Sequence, residues 1–188
     1  RAGAIAYCHS GYRPEAVKQA YAQSGSGMFY LRNSSGEVTF QGNCVPQANG
    51  LRQMDFSPVK AEGWYTLEVD GKKSRPFRIG RDAYIPAAWK TLNFFFSERC
   101  GFDVPGIHTE CHMDVMSVHP DGRRLPVCGG WHDAGDLTQA AINTAESVFA
   151  MLELAIAERE AQPELSQRAK EEARWGLNWL MRTRWGDG

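Results

Sequence analysis

The chain has 188 residues, of which 43% are hydrophobic and 23% charged, and its formal net charge is -1. This composition is typical of a globular protein and excludes a largely disordered chain. Lys and Arg are scattered, so no basic patch for nucleic acid is present, and no run of about 18 apolar residues is available to span a membrane.

Residues 1 to about 80 consist of short segments in which apolar residues alternate with polar ones, a pattern that predicts β-strands. Turn-forming residues separate these segments, as in 33–36 (NSSG) and Asp70-Gly71. Several short strands at this spacing favour a small β-sandwich. The alternating apolar positions are Phe29 and Leu31; Val38 and Phe40; Met54 and Phe56; Tyr65, Leu67 and Val69; and Phe77 and Ile79.

The periodicity changes after Gly80. Asp82 is a candidate cap for a helix from about Tyr84 to Arg99, with Pro86 in its first turn. We therefore predict two domains, residues 1–80 and 82–188.

The second domain contains a long segment and two further helices. Residues 100–136 are rich in Gly, Pro, His and Asp and lack periodicity, and a loop of this length is usually functional or held by a metal. Helical spacing follows on both sides of Gln162-Pro163 and predicts an α-hairpin that needs a larger helical array to cover its faces. The spaced residues are Ile142, Ala145, Phe149, Leu152 and Ile156, then Ala169, Ala173, Leu177 and Leu180.

The stretch 129–136 (GGWHDAGD) places two carboxylates, Asp133 and Asp136, among small residues that allow close approach of a substrate. Paired carboxylates suit hydrolysis, because one accepts a proton from water while the other orients that water. The alternative is a turn in which Asp136 only caps a helix beginning near Leu137.

The chain resembles glycoside hydrolase family nine, the cellulase and endoglucanase family, over nearly its whole length. The resemblance implies an N-terminal immunoglobulin-like β-sandwich over 1–80, followed by the first helices of an (α/α)6 barrel over 82–188, with the remainder of the catalytic domain lying outside this chain. It rests on residues 129–136 (GGWHDAGD), 9–14 (HSGYRP), 63–71 (GWYTLEVDG), 74–80 (SRPFRIG), 99–101 (RCG), 111–112 (CH) and 172–177 (EARWGL).

The resemblance also implies an inverting hydrolase of β-1,4-linked glucans. In that reading Asp136 is the general base and Asp133 helps hold the attacking water, while the general acid is a Glu outside this chain. Leu137-Thr138-Gln139 replace aromatic and basic residues of many relatives, so the exact glycan stays open. The glutamates of the two helices are expected on solvated faces or in local ion pairs: Glu146, Glu153, Glu158, Glu171 and Glu172.

Cys100, Cys111, His112 and His132 form a Cys2His2 set that the long segment brings together if it folds back. The residues alone leave two interpretations open, a zinc site and a Cys100–Cys111 disulfide. The resemblance implies zinc, since some relatives carry it at matching positions, and His132 stands where many others have Tyr. Four protein ligands would make this zinc structural. Alternative ligands are His108, His119 and Cys128, expected as exposed imidazoles and a buried thiol; calcium is a further cofactor for which the sequence indicates no ligands.

Five cysteines are an odd count, so at least one thiol stays unpaired. The expected partner is a β-glucan or related oligosaccharide, and the resemblance implies a secreted, periplasmic or cell-surface location. The start of the chain, 1–6 (RAGAIA), lacks the apolar region of a signal peptide, as a mature chain does. Two other functions are an exo-acting β-glucosaminidase of the same family and, in a different class, a noncatalytic carbohydrate-binding or scaffold module. Trp64, the only Trp before residue 80, is expected to pack rather than to bind sugar.

Overall fold

The structure is a computed structural model that describes residues 5–23, 27–133 and 138–186. Backbone contacts divide the chain into two compact units, Arg1–Ala88 and Trp89–Gly188. The boundary near residue 80 that the sequence favours stays a prediction, because the contact division falls a few residues later.

The first unit is built from two antiparallel sheets. Its nine strands are β1 (Ile5–Ala6), β2 (Gln19–Ala22), β3 (Met28–Asn33), β4 (Val38–Asn43), β5 (Val45–Pro46), β6 (Arg52–Asp55), β7 (Gly63–Val69), β8 (Lys72–Lys73) and β9 (Phe77–Ile79). One sheet has the order β1-β2-β6-β5, and the other has the order β4-β3-β7-β8 with β9 also paired to β7.

Alternation along the strands places one side of each sheet in a shared core, because successive side chains of a strand point to opposite faces. Leu31 of β3 pairs with Leu67 of β7, and both are completely buried. Met54 and Phe56, from the side of the other sheet, are also completely buried in the same apolar cluster. The two sheets therefore pack face to face, as the alternation predicts.

Two sequence expectations for this unit are wrong. Val38 is 44% exposed, because it is the first residue of β4, an edge strand with a neighbouring strand on one side only. Trp64 is 56% exposed and lines a groove of about 440 Å³ that Arg32 and Lys73 also line, so it does not pack in the core. The predicted apolar residues of β3, β6, β7 and β9 are buried.

The loop after β1 is fixed by Tyr12 and Gly11. The Tyr12 hydroxyl donates to the Gln19 carbonyl at 2.8 Å and accepts from the Cys8 amide at 2.9 Å. Burial raises the pKa of Tyr12 to about 12, because the phenolate would lose its hydration. Gly11 has φ +97°, and a Cβ atom there would lie 2.3 Å from the Arg78 carbonyl oxygen.

The second unit is mainly helical. The helices are α1 (Ile85–Ser97), which begins in the first unit, α2 (Ala141–Ala157) and α3 (Pro163–Arg182), and a short hairpin of β10 (Met116–Val118) and β11 (Arg124–Pro126) lies between α1 and α2. The first helix matches the predicted Tyr84–Arg99 segment within two residues at each end. The hairpin was not expected, since 100–136 has no strand periodicity.

Helices α2 and α3 pack against each other, as the α-hairpin interpretation predicts. The Ser166 hydroxyl of α3 donates to the Ala155 carbonyl of α2 at 2.7 Å. Gly176 of α3 also lies close to α2, because a Cβ atom there would lie 2.8 Å from Val148.

The predicted apolar stripe of α2 is exposed. Ile142 is 74% exposed, Phe149 67% and Ile156 67%. The buried face of α2 lies one residue earlier along the helix, at Thr144, Val148, Met151 and Ala155. On α3, Ala169 and Ala173 are buried as expected, whereas Leu177 is 44% exposed. A search of the described part of the chain for a helix long and apolar enough to cross a bilayer found none.

Candidate catalytic and metal site

The site is organised by a short antiparallel pairing, which we call the site ladder, between residues 98–100 and 130–132. Arg99 and Trp131 are opposite each other in a β-bridge. The Cys100 amide donates to the Gly130 carbonyl at 3.0 Å, and the His132 amide donates to the Glu98 carbonyl at 2.9 Å. Backbone hydrogen bonds thereby join the segment that follows α1 to the motif 129–136, about 30 residues later in the chain.

The site ladder brings together the four residues that the sequence suggests as metal ligands. One ligand atom each from Cys100, Cys111, His112 and His132 lies within 4.8 Å of the others. Cys100 Sγ is 3.4 Å from His112 Nδ1, and Cys111 Sγ is 3.4 Å from His132 Nε2. The two sulfur atoms are 3.9 Å apart, far beyond the ~2.05 Å of a disulfide, and all five thiols of the chain are free. The arrangement fits one metal ion and not a disulfide.

The backbone conformation at His112 turns the ligands Cys111 and His112 toward the other two, Cys100 and His132. His112 has φ +57°, in the left-handed region that non-glycine residues seldom adopt. The Gly101 amide lies 3.5 Å from Cys111 Sγ and donates to it. This hydrogen bond helps to fix the position of the Cys111 sulfur beside Cys100.

Burial controls protonation in this cluster. Cys100 is 1% exposed, and burial raises the pKa of its thiol to about 11. Burial, followed by the nearby His112, lowers the pKa of His132. Both groups are therefore held in their neutral forms, and a bound cation would displace the thiol proton.

Three residues that were considered as alternative ligands lie outside this cluster. The ring nitrogens of His108 lie 2.9 Å from the Ser97 carbonyl and 2.8 Å from the Thr109 carbonyl. His119 Nδ1 lies 2.9 Å from Asp121 Oδ1, and Cys128 lies beside Gly101. All three are half-buried, so the expectation of exposed imidazoles and a buried thiol is wrong.

Asp133 follows the site ladder directly, and its carboxylate is held on one side. Asn143 of α2 donates its side-chain amide to Asp133 Oδ1 at 3.1 Å, while the Asp133 amide donates to the Thr138 carbonyl at 2.7 Å. Asp133 and Asn143 line a cavity of about 410 Å³ that has the rings of Phe95 and Trp131 in its wall. Asp136, the other predicted catalytic residue, lies outside the described residues.

The opposite side of the site ladder is held by Glu172 of α3, which is completely buried. Its Oε1 accepts from Arg99 Nε at 3.0 Å and from Trp131 Nε1 at 2.8 Å. Its Oε2 accepts from Arg99 at 2.9 Å and from Arg168 at 2.6 Å. A buried carboxylate is tolerated when it is paired and hydrogen-bonded in this way.

The sequence missed this role of Glu172. Of the helical glutamates expected on solvated faces or in local pairs, Glu146, Glu153 and Glu171 are exposed, whereas Glu158 and Glu172 are buried. A signal for Glu172 was present, since EARWGL is among the segments that carry the family resemblance, but it gave no indication of the partner Arg99.

Comparison with known protein families shows which family the chain belongs to. A model of glycosyl hydrolase family 9 matches residues 84–188, and a model of the cellulase N-terminal ig-like domain matches residues 9–74. The chain belongs to glycosyl hydrolase family 9. The first match covers more than half of its residues and includes the site ladder, Asp133 and Glu172.

Three similar proteins illustrate the relationship. Endoglucanase C of Cellulomonas fimi is 28% identical over 91% of this chain, which spans 20% of that protein. A single mutant of the thermostable endoglucanase from Alicyclobacillus acidocaldarius has a TM-score of 0.72 and 29% identity, covering 95% of this chain and 37% of its own. A Zn-binding triple mutant of the family 9 endoglucanase J30 has a TM-score of 0.68 and 27% identity, covering 93% and 39%.

These findings confirm the predicted fold class. The family 9 chain has an N-terminal immunoglobulin-like domain, and its helices correspond to the first part of the (α/α)6 barrel seen in its structural neighbours. It spans about a fifth of Endoglucanase C and less than two fifths of the two solved chains.

Proposed function

We propose that the natural family 9 protein containing this chain hydrolyses β-1,4-glucans, with this chain supplying part of its active site. The observation that carries the proposal is the position of Asp133, which stands at the end of the site ladder beside a cavity with aromatic walls. Aromatic rings offer flat apolar faces for sugar rings, and a carboxylate beside them can hold a water molecule.

The proposed roles divide between the two aspartates of the motif. Asp136 accepts a proton from the attacking water, and Asp133 holds that water in line with the anomeric carbon. Asn143 supports this role of Asp133, because its side-chain amide donates to Oδ1 and holds the carboxylate in one orientation. The general acid is a glutamate from elsewhere in the protein, at the ~6.5–9.5 Å separation that inverting glycosidases use.

The names of the relatives favour endo-acting cleavage of a glucan, and we propose this mode for the complete protein. Leu137, Thr138 and Gln139 follow the motif where many relatives have aromatic and basic residues, so cellulose is one of several β-glucans to test. A secreted, periplasmic or cell-surface location is proposed along with this substrate, because a polymeric glucan lies outside the cell.

We propose zinc as the metal of the four-residue cluster. Zn–S bonds of about 2.3 Å and Zn–N bonds of about 2.0–2.1 Å give a tetrahedron with edges of about 3.8 Å between two sulfurs and about 3.6 Å between sulfur and nitrogen. The observed separations are 3.9 Å for the two sulfurs and 3.4 Å for each sulfur and its neighbouring imidazole. Two thiolates and two imidazoles are also the donor set that zinc favours.

Zinc bound by Cys100, Cys111, His112 and His132 would have four protein ligands and no open position, so its contribution would be structural. It would join the segment 111–112 to both strands of the site ladder. Asp133 is adjacent to the ligand His132, so this joint would fix where its carboxylate points. The described residues suggest no ligand set for calcium.

The catalytic proposal is tested by replacing each aspartate with its uncharged isostere in the natural protein. Asp136→Asn should reduce kcat by about 10²- to 10⁴-fold, the usual contribution of a general base. Asp133→Asn should also lose most activity, because a misplaced water slows the reaction even when the base is intact. Activity is measured as release of reducing ends from a soluble β-1,4-glucan, and the anomer of the first product is read by NMR.

Asp103→Asn is the matched control, since Asp103 is an exposed aspartate of the same unit. It should hydrolyse the glucan at the parent rate. Full activity of Asp136→Asn, or a retained anomeric configuration, would contradict the proposed mechanism.

The metal proposal is tested by elemental analysis of protein purified without chelators. We expect about one zinc per chain, and Cys111→Ser should lower the Tm more than it changes substrate affinity, because a structural metal contributes to folding. A metal-free protein with a Cys100–Cys111 disulfide would show that the site does not exist.

A further inference from the structure

We propose that Glu172 is a positioning residue: its carboxylate sets the site ladder in place and thereby fixes both Asp133 and the metal cluster. The part of this inference that concerns Asp133 rests on the function proposed above, and the part that concerns the cluster rests on the metal proposed there. Glu172 does not touch the cavity, so it would act only through the residues that it holds.

The alternation of side chains in the site ladder is the first support. Arg99 and Trp131 form the bridge pair and project to the side of α3, so their neighbours Cys100 and His132 project to the opposite side. The two backbone hydrogen bonds come from the amides of Cys100 and His132, and not from those of Arg99 and Trp131. In an antiparallel pair of this kind the two opposite side chains lie closest to each other. One carboxylate can therefore reach both members of the pair from α3.

The second support is that both oxygens of the Glu172 carboxylate accept two hydrogen bonds each. Four N–H groups from Arg99, Trp131 and Arg168 occupy its two oxygens, and Glu172 has no exposed surface. Arg99 and Arg168 are only 12% and 19% exposed in their side chains. A buried carboxylate removed from this cluster would leave two guanidinium groups without their shared anion.

The surroundings of Arg99 are the third support. Its guanidinium lies 4.6 Å from the ring centre of Trp175, 4.9 Å from that of Phe96 and 5.3 Å from that of Phe102. Three rings restrict the guanidinium to one place, and cation–π attraction favours it there. Because Arg99 cannot swing away, its bidentate bond to Glu172 fixes the distance between α3 and the site ladder.

The consequence for catalysis follows from the order of residues. Trp131, His132 and Asp133 are consecutive, so a displacement of Trp131 is transmitted to a metal ligand and to the proposed catalytic carboxylate. A misplacement of about 1 Å costs up to about 10²-fold in rate when reacting groups must be aligned. Residues that orient metal ligands from behind have comparable effects on metal affinity, about 10–100-fold.

The test compares Glu172→Gln with Glu171→Gln in the natural protein. Glu171 is the preceding residue of α3; it is exposed, and its carboxylate accepts only a bond from Gln167 among the contacts described for it. Glutamine at 172 keeps the shape but turns an N–H group toward the arginine donors. We expect kcat to fall about 10–100-fold, because the Asp133 carboxylate is displaced, and any rise in KM from movement of the Trp131 ring to be smaller than the fall in kcat.

A second readout does not depend on activity. Zinc release to a chromogenic chelator should be at least about 10-fold faster in Glu172→Gln than in the parent or in Glu171→Gln. The absorption spectrum of the cobalt-substituted protein should change as well, because the His132 ring would no longer be held at one orientation. If the parent protein does not hydrolyse the glucan, the proposed function is wrong. Zinc release and the cobalt spectrum would still test the role of Glu172.

If Glu172→Gln does not fold, Trp131→Phe and Arg99→Lys test the same proposal. Trp131→Phe keeps a ring and removes one donor, and Arg99→Lys keeps the charge and removes the bidentate fork. Both should share the direction of the Glu172→Gln effects on kcat and zinc release, at smaller size. A lower Tm with unchanged kcat, KM and zinc release in every folded variant would overturn the proposal and leave Glu172 as a purely structural residue.

Discussion

Gly176→Ala should destabilise the protein, although Ala is a better helix former than Gly. A Cβ atom at 176 would lie 2.3 Å and 2.4 Å from two ring carbons of Trp131 and 2.8 Å from Val148. Ordinary contacts of this kind begin near 3.4 Å, so the Trp131 ring would have to retreat by about 1 Å. Trp131 donates to Glu172 at 2.8 Å, and that bond would not survive the movement.

The size of the destabilisation by Gly176→Ala follows from three contributions. Overpacking a filled core costs about 1–3 kcal/mol. Losing a hydrogen bond to a charged partner costs about 1.5–3 kcal/mol. The gain in helix propensity returns about 1 kcal/mol. The free energy of unfolding should therefore fall by about 1.5–5 kcal/mol, equivalent to a decrease in Tm on the order of 10 °C.

The assay is thermal and urea unfolding of the natural protein, followed by circular dichroism at 222 nm. Asn178→Ala is the control, because Asn178 is exposed on the same helix and should gain about 0.5 kcal/mol from propensity alone. In a Trp131→Leu background, the cost of Gly176→Ala should shrink, since the clashing ring is gone. A Gly176→Ala variant as stable as the parent would refute the close approach of Trp131 to α3.

Three further predictions concern the first unit. Burial raises the pKa of Tyr12 to about 12, so its contribution to stability is present in full well below pH 10 and is lost as the pH rises through 12. Between pH 10 and 12 the parent should lose about 2 kcal/mol more of unfolding free energy than Tyr12→Phe, and parallel pH profiles would contradict this. Gly11→Ala should lower the urea midpoint more than Gly50→Ala, because both have positive φ but only at Gly11 would Cβ collide with the Arg78 carbonyl; equal midpoints would show that no collision occurs. Trp64→Ala should leave retention of the protein on insoluble β-glucan unchanged, and a loss of retention would identify this exposed face as a sugar-binding surface.

The β-sandwich could be predicted because apolar and polar residues alternate within the sequence of the individual strands. Leu31 and Leu67 alternate with polar neighbours, and one buried face is enough to determine which side chains turn inward. The four cysteine and histidine residues could be nominated from their chemistry and from the family resemblance. Their convergence depends on the pairing of 98–100 with 130–132, which no local pattern shows.

The buried face of α2 could not be predicted because the helix has two adjacent apolar stripes. Val148 and Phe149 are neighbours in sequence, and so are Met151 and Leu152, so hydrophobic periodicity fits either stripe. In this chain the stripe with Val148 and Met151 is buried, whereas the stripe with Phe149 and Leu152 is exposed, as expected for a hairpin that needs a larger helical array to cover its other face. Glu172 makes a local ion pair with Arg168, as expected, but its burial could not be predicted, because it depends on Arg99 from 73 positions earlier in the chain.

The alternation within the site ladder restricts how the length of this region can vary among proteins. One residue inserted between Glu98 and Cys100, or between Gly130 and His132, would rotate the following side chain to the wrong face, exchanging a metal ligand for a residue that belongs against α3. An insertion at the exposed turn 119–122 of the β10–β11 hairpin changes neither alternation. We therefore expect insertions and deletions between related sequences to accumulate at this turn and to be absent from the two paired segments.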